Sequence, residues 1–241
     1  MGAYMKSLFK IIAVSAIALS PVPALAQNLL VNGGFEDSTG PYQYGSFTHT
    51  GTATGGNITS IITYGPGAAY PNGAYGNPVA PPYGQANNFK GAYFAADSGT
   101  ETLSQQISIV AGQDYEFKFD GLFPANGYAN VGNAVFQVTF TDSGNFTHNL
   151  VTVPVNASLA ADTWKGWSSF FNTTQSGLGT LSLTFVPDGQ VGKDIVIDNL
   201  SVAAVPEAST WAMMIMGVGA VGAGMRRRNK LGMGSAKLAN A

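Results

Sequence analysis

The chain has 241 residues and no cysteine, which excludes disulfides, thiol nucleophiles, zinc–thiolate sites and iron–sulfur clusters. Thirteen acidic and eleven basic residues give a formal net charge of −2, but seven of the basic residues lie in the two ends. Residues 27–204 therefore hold four lysines and twelve acidic residues, a formal charge of −8 that would repel a phosphate backbone, so nucleic-acid binding is not expected.

The N-terminal end has the parts of a secretory signal peptide. Lys6 and Lys10 precede an apolar run over residues 11–19, and a small-x-small site, Ala24-Leu25-Ala26, follows. We expect a signal helix within residues 1–26 and cleavage after Ala26. Translation could start at Met1 or at Met5, and the sequence leaves both open.

Residues 27–204 are long enough for one domain, and the pattern within them is typical of an all-β sandwich. Short runs rich in Thr, Val, Phe and Tyr alternate with Gly, Asn and Asp turns, which predicts about nine or ten strands. The predicted strands are Asn28–Val31, Asn57–Tyr64, Gly91–Ala95, Thr102–Ile109, Tyr115–Asp120, Ala134–Phe140, Phe146–Val155, Trp164–Phe171, Thr180–Val186 and Asp194–Val202.

Two further expectations concern these strands. The alternation in Thr102–Ile109 and Tyr115–Asp120, with Ala111-Gly112-Gln113 between them, predicts a hairpin. The sparse charged side chains are expected on outer faces and sheet edges.

Two long stretches, Pro41–Gly55 and Gly65–Asn88, are rich in Gly, Pro, Asn and Tyr and are predicted to be loops. Aromatic rings could stack on the C–H face of a sugar. The alternative is that the tryptophans pack the core and the tyrosines cover loop backbone. The candidate sugar-binding residues are Tyr70, Tyr75, Tyr83, Trp164 and Trp167.

The C-terminal residues 205–228 combine a short Pro-Glu element, an apolar run and a basic cluster. The run Met213–Met225 has no charged residue, and arginines follow it directly. This predicts a single transmembrane helix with residues 229–241 on the cytoplasmic side, and the alternative is a buried or amphipathic helix. The residues of the element and the cluster are Pro206, Glu207, Trp211, Ala212, Arg226, Arg227 and Arg228.

This arrangement resembles the PEP-CTERM sorting tail of Gram-negative bacteria, in its Trp-Ala variant. The resemblance implies recognition by an exosortase-like membrane protease, transient inner-membrane anchoring, and release to the cell surface or an extracellular polysaccharide matrix. Ala208 stands where the family usually has a second proline.

The central domain resembles galactose-binding-like carbohydrate-binding modules of jelly-roll fold. Three segments carry the resemblance: residues 28–36 (NLLVNGGFE), residues 103–120, and residues 195–202 (IVIDNLSV). It implies an extracellular polysaccharide as partner and a structural calcium between the first and last strands, held by Glu36 and Asp198. The alternative is that these are two separate surface carboxylates.

No catalytic motif is present, and His49 and His148 are expected in solvated turns. We therefore expect a non-enzymatic carbohydrate-binding module. The alternatives are a structural or adhesive matrix protein without a discrete ligand, an enzyme that acts on glycosides through two carboxylates, and an ice-binding protein. The last is disfavoured because no regular Thr-x-Thr array is visible in the sequence.

Overall fold

The computed structural model describes residues 27–53, 58–64, 82, 89–124, 130–156, 161–206, 212, 215–222 and 226. The chain divides into two units, Ala26–Val205 and a second unit made of Met1–Leu25 with Pro206–Ala241. The predicted signal helix and the loop tyrosines Tyr70, Tyr75 and Tyr83 lie outside the described residues.

Within the described part of Ala26–Val205, ten strands form two antiparallel sheets, which confirms the all-β sandwich. The first sheet has the order β1-β4-β9-β6-β7 and the second has the order β2-β3-β10-β5-β8. The strands are β1 (Thr48–Gly51), β2 (Ser60–Thr63), β3 (Lys90–Phe94), β4 (Glu101–Ile109), β5 (Asp114–Leu122), β6 (Ala134–Thr141), β7 (Thr147–Val155), β8 (Lys165–Asn172), β9 (Gly177–Pro187) and β10 (Ile195–Ala204).

The core lies between the sheets because alternate side chains of each strand point inward. Phe136 of the first sheet contacts Phe94 and Phe119 of the second, with ring centroids 5.4 and 5.6 Å apart. A smaller buried cluster that includes Tyr64 and Tyr93 occupies the opposite face of the second sheet. Several strands of this sheet therefore bury both faces, which explains their near-continuous apolar sequences.

The predicted hairpin of β4 and β5 is wrong, because the two strands belong to different sheets. The intervening turn, with Gly112 at φ +75°, carries the chain across the sandwich instead. The Val110 amide donates to the Tyr115 hydroxyl at 2.8 Å, which fixes this crossing. Alternation identifies the buried face of each strand, but it does not say whether two buried faces lie side by side or opposite each other.

The opening segment, residues 27–47, also differs from its prediction, because Asn28–Val31 is not a strand. It lies beside β10: the Leu29 amide donates to the Val202 carbonyl at 2.8 Å. Gly33 permits this approach, since a Cβ there would lie 2.1 Å from the Leu200 carbonyl oxygen. The first strand, β1, falls within the stretch predicted as the loop Pro41–Gly55.

The expectation that charged side chains occupy outer faces and edges is wrong for five residues. They are buried, and each has polar neighbours. The five are Glu101, Asp142, Lys193, Asp194 and Asp198.

In the second unit, residues 212, 215–222 and 226 are helical. No helix among the described residues is long and apolar enough to span a bilayer. The predicted span Met213–Met225 lies only partly within the described residues. Of the sorting residues, Glu207, Trp211, Arg227 and Arg228 lie outside them.

Candidate functional site

An open cleft of about 610 Å³ lies between β7 and β8, the edge strands of the two sheets. This volume is within the usual range of small-molecule sites, roughly 300–1,000 Å³. The cleft was not predicted, because its walls come from different sheets. Its aromatic and polar lining includes Asp114, Phe146, His148, Asn149, Phe170 and Asn172.

Two phenylalanine rings of the cleft are open to solvent. Phe146 is 64% exposed and Phe170 is 65% exposed. Phe146 directly precedes β7, whereas Phe170 points outward from β8, opposite Glu116 of β5. Exposed apolar rings beside a concavity are typical of ligand-binding surfaces.

The turn between β6 and β7 positions Phe146. Residues 142–145 form a tight turn, in which the Asn145 amide donates to the Asp142 carbonyl at 3.0 Å. Oδ1 of Asp142 accepts from the amides of Gly144 and Phe146, at 2.9 and 3.0 Å. The buried carboxylate thus holds the backbone of Phe146 in place.

His148 lies in the wall of the cleft, and the expectation of a solvated turn residue is wrong. Its ring centroid is 4.8 Å from that of Phe146 and 6.1 Å from that of Phe171. Nε2 is 3.8 Å from Asp142 Oδ2, too long for a hydrogen bond, and it is buried without a hydrogen-bond partner. The imidazole therefore serves mainly as a packing surface beside Phe146.

The polar groups of the cleft suit hydrogen bonding better than catalysis. The Asn172 side-chain amide donates to Asp114 Oδ1 at 3.1 Å, and that of Asn149 donates to Thr152 Oγ1 at 3.2 Å. Among the described residues that line the cleft, Asp114 is the sole carboxylate. Glycoside hydrolysis ordinarily uses a pair, so the cleft does not offer that chemistry.

The two predicted tryptophans lie outside this cleft, and Trp167 lines a second open concavity of about 310 Å³. Trp164 meets Tyr64 edge-on, with centroids 5.8 Å apart. Trp167 stacks on Phe119 at 5.1 Å, and the Lys165 ammonium lies 5.2 Å from its centroid. Sugar stacking by these rings stays a prediction, but much of each ring is already covered.

The side chains of Glu36 and Asp198 both approach Gly34. A Cβ on Gly34 would lie 3.7 Å from Asp198 Oδ1 and 3.9 Å from Glu36 Cγ. Both side chains accept hydrogen bonds from protein donors. Among the described residues, no group of three His, Cys, Asp or Glu side chains is arranged to hold a metal ion.

Comparison with known proteins identifies the C-terminal element. Residues 204–228 match the sequence profile of the PEP-CTERM protein-sorting motif. The chain carries a PEP-CTERM sorting signal. The motif implies export of the protein and handling by an exosortase at the membrane. No curated protein matches the chain.

Solved structures that are similar to this protein have low sequence identity to it. A family-61 carbohydrate-binding module in complex with β-1,4-galactotriose is 17% identical, with TM-score 0.49 over 75% of this chain and all of the module. The Stig cyclase Fisc from Fischerella sp. TAU is 16% identical, with TM-score 0.52 over 75% of this chain and 98% of the cyclase. An α-L-arabinofuranosidase, MgGH51, is 14% identical, with TM-score 0.51 over 76% of this chain and 27% of that enzyme. At identities of 14–17% such a likeness concerns the fold alone, and it does not decide between binding and catalysis.

The outer face of the first sheet carries rows of hydroxyl groups that the sequence did not reveal. The register aligns Thr50, Thr102 and Thr184 in one row, and the Thr102 and Thr184 hydroxyls are 3.1 Å apart. Since strands in a sheet twist, such rows do not by themselves make a flat plane. Ice binding stays the disfavoured alternative, which thermal hysteresis of the exported protein tests.

Buried carboxyl groups on the second sheet bond to tyrosines. Tyr93 donates its hydroxyl to Asp194, and Tyr64 donates to Asp198 Oδ2 at 2.9 Å. Burial raises the pKa of Asp194 to about 7; the Tyr93 hydrogen bond opposes this shift and the charge of Asp97 adds to it. Burial, and then the Asp198 charge, raise the pKa of Tyr64 well above its ordinary value, so the phenol remains a donor.

Proposed function

We propose that this is an exported protein of the cell envelope or exopolysaccharide matrix, whose sandwich binds a neutral polysaccharide without cleaving it. Its ligand lies in the cleft between β7 and β8. The C-terminal helix anchors the chain in the inner membrane transiently, and an exosortase-like protease recognises the tail and releases the domain.

One observation carries the binding proposal: two exposed phenylalanine rings flank a concave site that also offers amide and carboxylate groups. A pyranose presents an apolar C–H face and a polar rim. Stacking of the C–H face on Phe146 or Phe170 stabilises the complex, because it removes apolar surface from water. The sugar hydroxyls exchange hydrogen bonds with water for hydrogen bonds with Asn149, Asn172 and Asp114, and these bonds contribute more to the orientation of the ligand than to its affinity.

The charge of the domain favours a neutral ligand. Residues 27–204 have a formal charge of −8, and Asp114 lines the cleft. Uronate or sulfated polymers would meet like charge on approach, which lowers their association rate. Neutral hexose polymers carry no such penalty.

Replacing both rings, in Phe146→Ala/Phe170→Ala, is expected to weaken binding of a neutral polysaccharide by about tenfold per ring, equal to about 1.4 kcal/mol each. The rings are exposed, so the melting temperature should change little. Affinity electrophoresis or calorimetry on purified exported protein, with the polymer identified from a glycan array, measures the effect.

Leu178→Ala serves as the matched control, because Leu178 is 59% exposed and does not line the cleft. A double variant with unchanged affinity would exclude the cleft. If a Tyr70/Tyr75/Tyr83 triple alanine variant then lost binding, the site would be the loop of residues 65–88.

The same array tests the alternative functions. A protein with no saturable binding on the array would fit the structural or adhesive alternative. Sugar released from native matrix would indicate an enzyme.

Mass spectrometry of the mature protein tests both ends together. We expect an N-terminus at Gln27 and loss of the C-terminal residues that follow the Pro206-Glu207 element. An intact Met1 or Met5 would contradict the signal peptide. Retention of residues 229–241 in the extracellular fraction would contradict processing of the tail.

A further inference from the structure

We propose that the ammonium group of Lys90 is the cation that ties the opening segment to the second sheet. The resemblance to carbohydrate-binding modules implies a structural calcium held by Glu36 and Asp198, and Lys90 bonds the backbone of Glu36. We therefore expect that this connection needs no calcium. The inference does not rest on glycan binding and holds whatever the ligand is.

The contacts of Lys90 resemble those of a bound cation. Lys90 begins β3, and its Nζ donates to the backbone carbonyls of Glu36 at 2.8 Å and Ser38 at 2.7 Å. Both carbonyls belong to the opening segment, which has no strand of its own there. An ammonium offers three donors and a full positive charge, so it can gather carbonyl oxygens as a metal ion would.

The carboxylate of Glu36 is engaged by the same strand. Its Oε1 accepts from the amide of Phe89 at 2.8 Å and from that of Lys90 at 2.9 Å. These are the first backbone donors at the start of β3. Glu36 and Lys90 thus bond reciprocally, side chain to backbone in each direction.

Asp198 of β10 completes the arrangement. Oδ2 accepts from the Tyr64 hydroxyl at 2.9 Å, and Oδ1 accepts from the Asn199 amide at 2.6 Å. Gly91 makes room for that hydroxyl, because a Cβ there would lie 2.1 Å from it. The last strand also joins the opening segment directly, since the Leu200 amide donates to the Gly33 carbonyl at 3.0 Å.

These oxygens do not suit calcium, which needs roughly six to eight oxygen ligands. The two carboxylates and the two carbonyls near Gly34 each accept hydrogen bonds already. A calcium ion would have to displace the Lys90 ammonium or stand beside it, against like charge.

The first test is thermal unfolding of purified exported protein with millimolar calcium and with excess EDTA. We expect the same melting temperature in both. A calcium-dependent rise would overturn the proposal, and this arm does not depend on whether any variant folds.

The second test compares Lys90→Met with Lys118→Met. Lys90→Met keeps the apolar stem but removes the donors, so its melting temperature should fall by roughly 5 °C. The Lys118 side chain is 55% exposed and pairs with Glu116, so its variant should be nearly unchanged. Equal melting temperatures for the two variants would overturn the proposal.

Discussion

Glu101→Ala is expected to lower the free energy of unfolding by about 3–5 kcal/mol, because it leaves three donors to this buried carboxylate without their acceptor. The Glu101 side chain is 1% exposed and bonds to His49 Nε2. It also accepts from the amides of Ala53 and Thr59, both at 3.2 Å. Denaturant unfolding of the purified exported protein measures the loss.

Glu116→Ala is the matched control, because that carboxylate is 25% exposed and pairs with a solvated lysine. It should cost about 0.5 kcal/mol or less. A Glu101→Ala variant as stable as this control would show that the connection around residues 52–59 does not depend on the carboxylate.

The contact with Glu101 also shows where His49 lies, and the expectation of a solvated turn is wrong. His49 instead lies in β1, stacks on Tyr44 with ring centroids 4.9 Å apart, and bonds Glu101.

Stability is expected to fall as pH rises from about 5 to about 8, and Asp194 is the cause. Burial raises its pKa to about 7 from an ordinary value of 3.8, so the folded state holds a proton that the unfolded chain releases. The unfolded state therefore binds fewer protons in this window, and its formation becomes more favourable as pH rises. The full difference is about 4 kcal/mol and is lost between about pH 4 and pH 7, with about 2.5 kcal/mol of it falling between pH 5 and pH 8.

Asp194→Asn should flatten this pH dependence. The amide oxygen can still accept the Tyr93 hydroxyl, and no charge is buried. Asp37→Asn, at an exposed carboxylate, is the control and should keep the slope of the original protein. Denaturant unfolding at several pH values from 5 to 8 gives the comparison. If the Asp194→Asn variant kept the full slope, another group would be responsible.

The site shows why part of this molecule could not be predicted from residue patterns. Phe146 begins one predicted strand and Phe170 lies in the next, 24 residues further along the chain. They share a cleft because β7 and β8 are the edge strands of different sheets. Trp164 and Trp167 are the stronger candidates for sugar stacking in the sequence, and yet they pack against Tyr64 and Phe119.

Some features depend only on local sequence, and these were determined by the sequence alone. The sorting element of residues 204–228 is a contiguous signal for a protease and is confirmed by comparison. Strand positions follow from period-two alternation and turn residues, and most were right within a few residues. The turn at Asp142 is also local, because its bonds span four residues or fewer.

Strand partners, register and the environment of each charge were decided only by the tertiary structure. β4 and β5 are adjacent in sequence but lie in opposite sheets, because inward faces can meet across the core as well as side by side. Register places the hydroxyls of Thr102 and Thr184 together across 82 positions. The tertiary structure likewise buries Glu101 beside His49 and brings Lys90 within hydrogen-bond distance of two carbonyls of the opening segment. Such pairings come from contacts between distant segments, and alternation within one strand carries no information about its neighbour.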